Sequence, residues 1–294
     1  MKRSVFLQRL LTVPFIHRFM NLQELNILSS SFSTTAPMPV LFLGHGSPMN
    51  AIEENEFVTG FRDVAKTLPR PNAILCISAH WFTNGTKVTA MEMPPTIHDF
   101  GGFPKELYEV QYPAKGSPEL ANETKVLLTP TRVELDEKWG LDHGAWSVIR
   151  HLYPKADIPV IQMSIDYTQP ASYHYELAQR LNILRSKGIL IIGSGNIVHN
   201  LGLVDFQNIN KDNYGYDWAI EARETINKYL LNGNYQPLLQ YQQQSKALQL
   251  AIPTPDHYLP LIYTLGLQQK GELLSLFNDK LLAGSLSMTS VKIG

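Results

Sequence analysis

Histidine is the residue type best placed to do chemistry in this sequence, because several histidines stand where apolar runs end. Three share this placement: His45 follows residues 40–43, His80 follows residues 73–78, and His199 follows residues 189–192 across a Gly-rich turn. A fourth, His257, precedes a helical pattern in a Pro-rich loop. Neutral imidazole is the commonest side-chain metal ligand. The placement therefore predicts a histidine-rich metal site.

The other potential ligands narrow the kind of metal. Cys76 is the single cysteine and lies in the apolar run 73–77, so we expect a buried thiol and neither a disulfide nor a cysteine-based zinc site. The HExxH and CxxC spacings are absent, and nitrogen or oxygen ligands suit iron, zinc or manganese. The residues alone thus predict a mononuclear site with its metal left open. His151 and His174, inside helical patterns, are expected to be structural.

The elements that must position the histidines alternate between strands and helices. Apolar runs predict strands at residues 40–43, 73–78, 88–91, 159–165, 189–192 and 285–293, and helical spacing predicts helices at residues 57–68, 119–128, 145–153, 173–185, 216–231 and 258–265. Continuous apolar strands favour a parallel sheet covered on both faces. We therefore expect one α/β domain with a mostly parallel central sheet flanked by helices. Ligands gather at the carboxyl ends of such strands, and the irregular stretch 94–118 has the length of a functional loop.

The overall composition limits the classes of partner that this protein is expected to bind. The chain has 294 residues, and its 25 basic and 26 acidic residues give a formal net charge of -1. This balance disfavours nucleic acid as a partner and favours a small molecule. No run reaches the roughly 20 apolar residues that span a bilayer. Residues 1–38 are basic and Ser-rich, which predicts a disordered extension, an organelle-targeting segment or a mis-assigned start. Residues 39–294 would be the folded domain, in the cytoplasm unless the extension targets an organelle.

Seven short segments resemble the class III (LigB-type) extradiol dioxygenases, and within them the 4,5-DOPA dioxygenase group. They occur in order across residues 39–294: Gly44–Met49, Ser78–Phe82, Thr96–Pro104, Gly140–Trp146, Gly193–Asn200, Pro255–Leu261 and Gly284–Met288. The resemblance implies a LigB-like domain that cleaves a DOPA-like catechol with dioxygen. It implies iron(II) for activity, with zinc(II) as an alternative occupant, in a monomer or small homo-oligomer.

The resemblance also implies roles for individual histidines. His45, His80 and His257 match the protein ligands of the metal. His199 matches the histidine beside the metal, which is either a further ligand or the catalytic acid and base. His143 matches a histidine that either supports the metal ligands or faces the substrate, and His98 matches one in the substrate loop; both would assist catalysis.

Two other classes of function stay open from the sequence. The first is a zinc hydrolase, for which Asp99 and Asp142 are the nearby candidate bases; Asp142 could instead orient an imidazole or cap a helix. The second is a catalytically silent binding protein of the same fold. No charged residue that would select an amino acid side chain of the substrate can be identified. Four aromatic residues could line a pocket or simply pack in loops: Trp81, Phe82, Phe100 and Phe103.

Overall fold

A central sheet is built from the most apolar runs of the sequence. The computed structural model describes Phe32 and residues 34–294, all within one compact unit, Ser31–Gly294. The strands of this part of the chain are β1 (Val40–Gly44), β2 (Ala73–Thr83), β3 (Thr86–Thr89), β4 (Val133–Asp136), β5 (Val160–Asp166), β6 (Ile189–Gly195), β7 (Leu274–Phe277), β8 (Leu281–Leu282), β9 (Leu286–Ser287) and β10 (Ser290–Ile293). An eight-stranded sheet has the order β4-β3-β5-β2-β6-β1-β10-β7, and β8 pairs with β9.

The inner strands β5, β2, β6 and β1 run parallel to one another. β1, β5 and β6 are buried along their whole length, as expected of strands covered on both faces. β10 joins β1 in antiparallel fashion, and β7 follows it at the edge. The prediction of an α/β domain with a mostly parallel sheet is therefore confirmed, with antiparallel pairings added on both sides of the parallel strands, between β3 and β5 and at β10.

Helices cover both faces of this sheet. They are α1 (Glu56–Lys66), α2 (Lys105–Tyr108), α3 (Pro118–Leu127), α4 (His143–Leu152), α5 (Ala171–Arg180), α6 (Asn182–Arg185), α7 (Asp217–Leu231), α8 (Gln236–Leu239), α9 (Lys246–Ala251) and α10 (Leu259–Gly266). Successive strand residues point to opposite faces. Leu41 and Leu43 accordingly join the core that contains α1 and α4, whereas Val40 and Phe42 join the core that contains α5, α7 and α10. Cys76 is buried as predicted.

Several elements differ from their predicted extent. β2 does not end before His80 but continues to Thr83, and its register against β5 shifts between Ile77 and Phe82. His80 therefore lies at an irregular point of the strand rather than beyond it. The predicted strand 285–293 is divided into β9 and β10, and the predicted helix 173–185 is divided into α5 and α6.

Residues 1–38 are described only in part. Residues 1–31 and residue 33 lie outside the described residues, so the predicted extension and its targeting role stay predictions. Further along, Thr35 N donates to Ser186 O at 2.7 Å and Met38 N donates to Arg185 O at 3.0 Å. The backbone just before β1 is thus tied to the domain. Among the described residues, every helix is too short or too polar to cross a bilayer.

Candidate metal centre and active site

Three histidines from separate parts of the chain converge at the carboxyl edge of the inner strands. His45 follows β1, His80 lies in β2, and His257 lies in the loop before α10. One ring nitrogen of each lies within 4.8 Å of those of the other two. β6 stands between β1 and β2, and the backbone ties the loop to the end of β6, because Asn196 N donates to His257 O at 2.9 Å. Three of the four histidines predicted as metal ligands therefore form one cluster.

Hydrogen bonds at Nδ1 orient two of these imidazoles. His45 Nδ1 lies 3.0 Å from Ser194 Oγ, and Ser194 Oγ donates its proton to Gly144 O. We therefore assign Nδ1 of His45 as the donor, which leaves the lone pair on Nε2. His257 Nδ1 is hydrogen-bonded to the Asp256 carboxylate. Such partners fix the tautomer and orientation of metal-binding histidines.

Burial favours the neutral forms of His45 and His80. It lowers the pKa of His45 well below its ordinary value, and the neighbouring imidazoles lower that pKa further. Burial and then the other histidines lower the pKa of His80 in the same way, against an opposing effect of Asp99. Burial acts to raise the pKa of Asp256, but the hydrogen bond and charge of His257, together with further hydrogen bonds from Thr254 and the backbone, hold that pKa below its ordinary value. Neutral imidazoles keep the lone pairs that metal binding requires.

The donor set fits a metal ion. His45 Nε2 and His80 Nε2 face each other at 3.3 Å. Two nitrogens bound to one tetrahedral ion at about 2.1 Å would lie about 3.4 Å apart. Three imidazoles without a thiolate suit iron(II) or zinc(II), and a site with three protein ligands keeps a position open for chemistry.

A carboxylate and a fourth imidazole lie beside the cluster. His143 is the first residue of α4, and its ring centroid is 3.8 Å from that of His80. Asp99 Oδ1 accepts a hydrogen bond from the backbone N–H of His143 at 2.9 Å. The same oxygen lies 3.0 Å from His143 Nδ1, but the two atoms are not oriented for a hydrogen bond. Asp99 Oδ2 lies 3.7 Å from His80 Nδ1. Burial acts to raise the pKa of Asp99, but its interactions with His143 and His80 hold the pKa low.

Of His199 and His98, which were also predicted to be functional, only His199 lines the cavity. His199 stacks on His257 with ring centroids 3.5 Å apart and lines the same cavity, but its nitrogens are not among the converging ligand atoms. Burial and then His257 lower the pKa of His199 to about 3. His98 does not line the cavity: its Nε2 donates to Val110 O at 2.9 Å, and its ring packs against Phe100. Their catalytic roles stay predictions.

The cluster opens into a cavity of about 440 Å³. Phe100 and Phe103 line it, whereas Trp81 stacks on Trp139 and Phe82 packs against the core. The cavity is further lined by Gly46, Ser47, Pro48, His143, Asn196, His199, Leu201, Val204, Phe206, Ile209, Leu282, Ala283 and Leu286. The buried Oδ1 of Asn196 has no hydrogen-bond partner among the described residues, so it is available to accept one from a ligand.

Sequence reasoning did not identify the residues that orient the ligands. Ser194 and Asp256 have local signals, namely the Gly-Ser-Gly end of β6 and the Asp-His pair, but their contacts depend on the fold. Asp142 is the cap of α4, because its Oδ1 accepts Ala145 N at 3.0 Å. His151 and His174 are hydrogen-bonded within the fold to Asn50 O and Tyr263 Oη, and neither lines the cavity.

A buried cluster of imidazoles at the carboxyl edge of an α/β sheet, opening into a small cavity, defines a metal-dependent enzyme that acts on a small molecule. Comparison with known proteins specifies the family. Residues 34–281 match the family model described as the catalytic LigB subunit of aromatic ring-opening dioxygenase. The chain belongs to the LigB family and is an oxidoreductase of that kind. This membership supports the dioxygenase interpretation over the zinc hydrolase and the silent binding protein.

Individual relatives cover nearly the same region. The chain is 49% identical over 261 residues to the 4,5-DOPA dioxygenase extradiol of Escherichia coli (strain K12), covering 87% of this chain and 95% of that protein. It is 37% identical over 259 residues to the protein of the same name from Beta vulgaris, covering 85% and 94%. The solved structure of an uncharacterised protein from Escherichia coli K12 matches with a TM-score of 0.75 and 44% identity, covering 87% of this chain and 100% of that one.

Proposed function

We propose that this chain is an extradiol dioxygenase that opens a catechol ring with dioxygen, with DOPA among its substrates. The observation that carries the proposal is the convergence of His45, His80 and His257 at a cavity of about 440 Å³, which is in the size range of small-molecule sites. The names of the relatives supply DOPA as the first substrate to test. One catechol and one dioxygen give one ring-opened product that contains both oxygen atoms, so no further reductant is required.

His45, His80 and His257 are the residues that would hold the metal, which we propose to be iron(II); the same nitrogens would accept zinc(II). When bound, iron(II) supplies the redox chemistry with dioxygen. The hydrogen bonds to Ser194 and Asp256 keep the ligand imidazoles oriented while substrate enters.

The remaining polar groups of the cavity handle the protons of the catechol. His199 lines the cavity and stacks on His257, and an imidazole in that position can accept a hydroxyl proton and return it later. We propose it as the acid and base rather than as a ligand, since its nitrogens lie outside the converging group. His143, backed by Asp99, and the free Oδ1 of Asn196 can hydrogen-bond to the catechol oxygens. His98 packs against Phe100 and would act by positioning that ring.

The test is anaerobic reconstitution with iron(II), followed by air and L-DOPA, with oxygen uptake and the yellow semialdehyde product recorded together. We expect both signals in the wild-type protein and neither in His257→Ala. Leu273→Ala, at an exposed residue outside the cavity, should retain both. Uptake with another catechol but not DOPA would keep the reaction and change the substrate. Iron-loaded protein that consumes no oxygen with any catechol would refute the proposal.

The partners and location that we propose follow from the same site. A small diffusible substrate requires no macromolecular partner, and the buried thiol of Cys76 is suited to a reducing compartment such as the cytoplasm. We propose a monomer or small homo-oligomer, because a single copy of the chain already brings His45, His80 and His257 together. Size-exclusion chromatography with light scattering would measure that state.

A further inference from the structure

The mouth of the cavity is formed by apolar side chains, three of which are exposed to solvent, while Ala283 is buried and the others are partly buried. We call them the apolar rim: Leu201, Val204, Phe206, Ile209, Leu282, Ala283 and Leu286. Leu201 is 64% exposed, Phe206 is 74% exposed and Ile209 is 49% exposed. A contiguous group of exposed large apolar side chains usually marks a binding surface. Here that surface is continuous with the histidine cluster.

Hydrogen bonds hold the rim in this exposed arrangement. Asn200 N donates to Ser285 O at 3.1 Å, and Asp205 N donates to Ala283 O at 2.9 Å, so the segment that follows His199 is tied to the segment around β9. The Asp205 carboxylate also accepts a hydrogen bond from Tyr214 Oη at 3.1 Å. The apolar side chains are therefore presented by a fastened backbone beside the cavity.

The charge distribution indicates what the rim contacts. Among the described residues that line the cavity, none is Asp, Glu, Lys or Arg, and the polar side chains are the histidines, Ser47 and Asn196. A charged substituent on the catechol would therefore meet no ion partner on the rim, and burying it there would cost free energy. An apolar substituent bound against the rim would instead bury apolar surface of both the substituent and the rim, which is favourable in free energy.

Resting on the proposed function, we propose that the preferred substrates are catechols with an uncharged, apolar substituent, and that Phe206 and Ile209 contact this substituent. DOPA is then a substrate whose ammonium and carboxylate groups stay in solvent at the cavity mouth. Each buried methylene should raise kcat/KM about fourfold, equivalent to about 0.8 kcal/mol.

The first test compares substituents of similar length and different charge with the iron-loaded enzyme. The neutral probe is 4-propylcatechol, the cation is dopamine, and the anion is 3,4-dihydroxyphenylacetate. We expect kcat/KM to rise along the methyl, ethyl and propyl catechols and to be at least tenfold higher for the propyl compound than for either ion. A flat alkyl series, or an ion as the best substrate, would overturn the inference.

The second test changes the rim. Phe206→Ala and Ile209→Ala should each lower the ratio of kcat/KM for 4-propylcatechol to that for unsubstituted catechol by about tenfold. Phe206→Arg should shift preference toward the anion. Leu273→Ala, which is 84% exposed and lies off the cavity, should leave the ratio unchanged. Rim variants that change only the oligomeric state would identify the rim as a subunit interface and overturn the inference.

A binding measurement separates this inference from the proposed function. Zinc(II)-loaded protein, kept anaerobic, should bind 4-propylcatechol more tightly than dopamine by calorimetry, and Phe206→Ala should remove most of the difference. If that selectivity is present without turnover of any catechol by the iron form, the proposed function fails and the substrate class stands. If turnover is present without selectivity in either assay, the function stands and the substrate class fails.

Discussion

Replacing Gly144 by alanine should damage the proposed metal site, because the new Cβ atom would clash with the His80 ring. A Cβ atom on this residue would lie 2.5 Å from Ser78 Oγ, 2.7 Å from His80 Cδ2 and 3.3 Å from Asp142 Oδ1. Ser78 Oγ donates to Asp142 Oδ1 at 2.7 Å and is held in place. The Ser78 contact therefore pushes the start of α4 away, and the His80 ring must move as well.

The size of the movement can be worked from these distances. Carbon atoms pack at about 3.5 Å or more, so the His80 ring must shift by roughly 0.8 Å to relieve a contact of 2.7 Å. Metal–ligand distances tolerate only about 0.2 Å. We therefore expect Gly144→Ala to weaken metal binding by about tenfold to a hundredfold, the range seen when the orientation of metal ligands is disturbed. Overpacking should cost about 1–3 kcal/mol of folding free energy, partly offset by the better helix propensity of alanine.

The assay is a zinc(II) titration against a competing chelator, with thermal unfolding of the metal-free protein recorded in parallel. Gly101→Ala is the matched control, because a Cβ at Gly101 would have no heavy atom within 4 Å. That variant should bind zinc(II) as the wild type does. A Gly144→Ala protein that is folded and binds zinc(II) within threefold of wild type would refute the reasoning.

Three further predictions concern the groups that surround the site and the core. Asp142→Asn should lower the free energy of unfolding in urea by about 2–4 kcal/mol, because the new amide would face the donors Gln162 Nε2 and Trp139 Nε1 instead of accepting from them. Asp63→Asn, in an exposed ion pair with Lys66, should change it by only a few tenths. Arg185→Met should cost about 3–5 kcal/mol, since it leaves Glu272 without its partner, and adding Glu272→Leu should recover part of the loss. Burial lowers the pKa of His174 to about 4. Between about pH 6.5 and 4, His174 is therefore protonated in the unfolded state and neutral in the folded state. Stability should fall by about 3 kcal/mol as the pH drops through that window, and a His174→Gln variant should show a flatter dependence in urea titrations at several pH values.

The inner part of the fold could be predicted from sequence because burial on both faces makes a strand a continuous apolar run. β1, β5 and β6 are such runs. β4 and β7 could not be predicted, because they lie at the two edges of the sheet and are partly exposed. Their short, mixed sequences carry little periodicity, and only pairing with β3 and β10 makes them strands.

The sequence was sufficient to predict which histidines belong to the candidate site, but not which groups each histidine contacts. His98 and His143 both lie in motif segments, yet His143 faces His80 while His98 points to the Val110 carbonyl. The packing of Phe100 separates the two imidazoles, and nothing in the local sequence encodes that packing. The pairing of His45 with Ser194 depends in the same way on β1 and β6 being neighbours.

The three clustered imidazoles are not equally constrained, and this difference decides how the site responds to perturbation. His45 and His257 each have a hydrogen bond at Nδ1, to Ser194 and to Asp256. His80 Nδ1 has only Asp99 Oδ2 at 3.7 Å, which is beyond hydrogen-bond distance, and its backbone lies where the register of β2 shifts. The least anchored imidazole should be the first to move under strain. A contact made at His80, as in Gly144→Ala, is therefore a more sensitive probe of the site than one of equal size made at the other two.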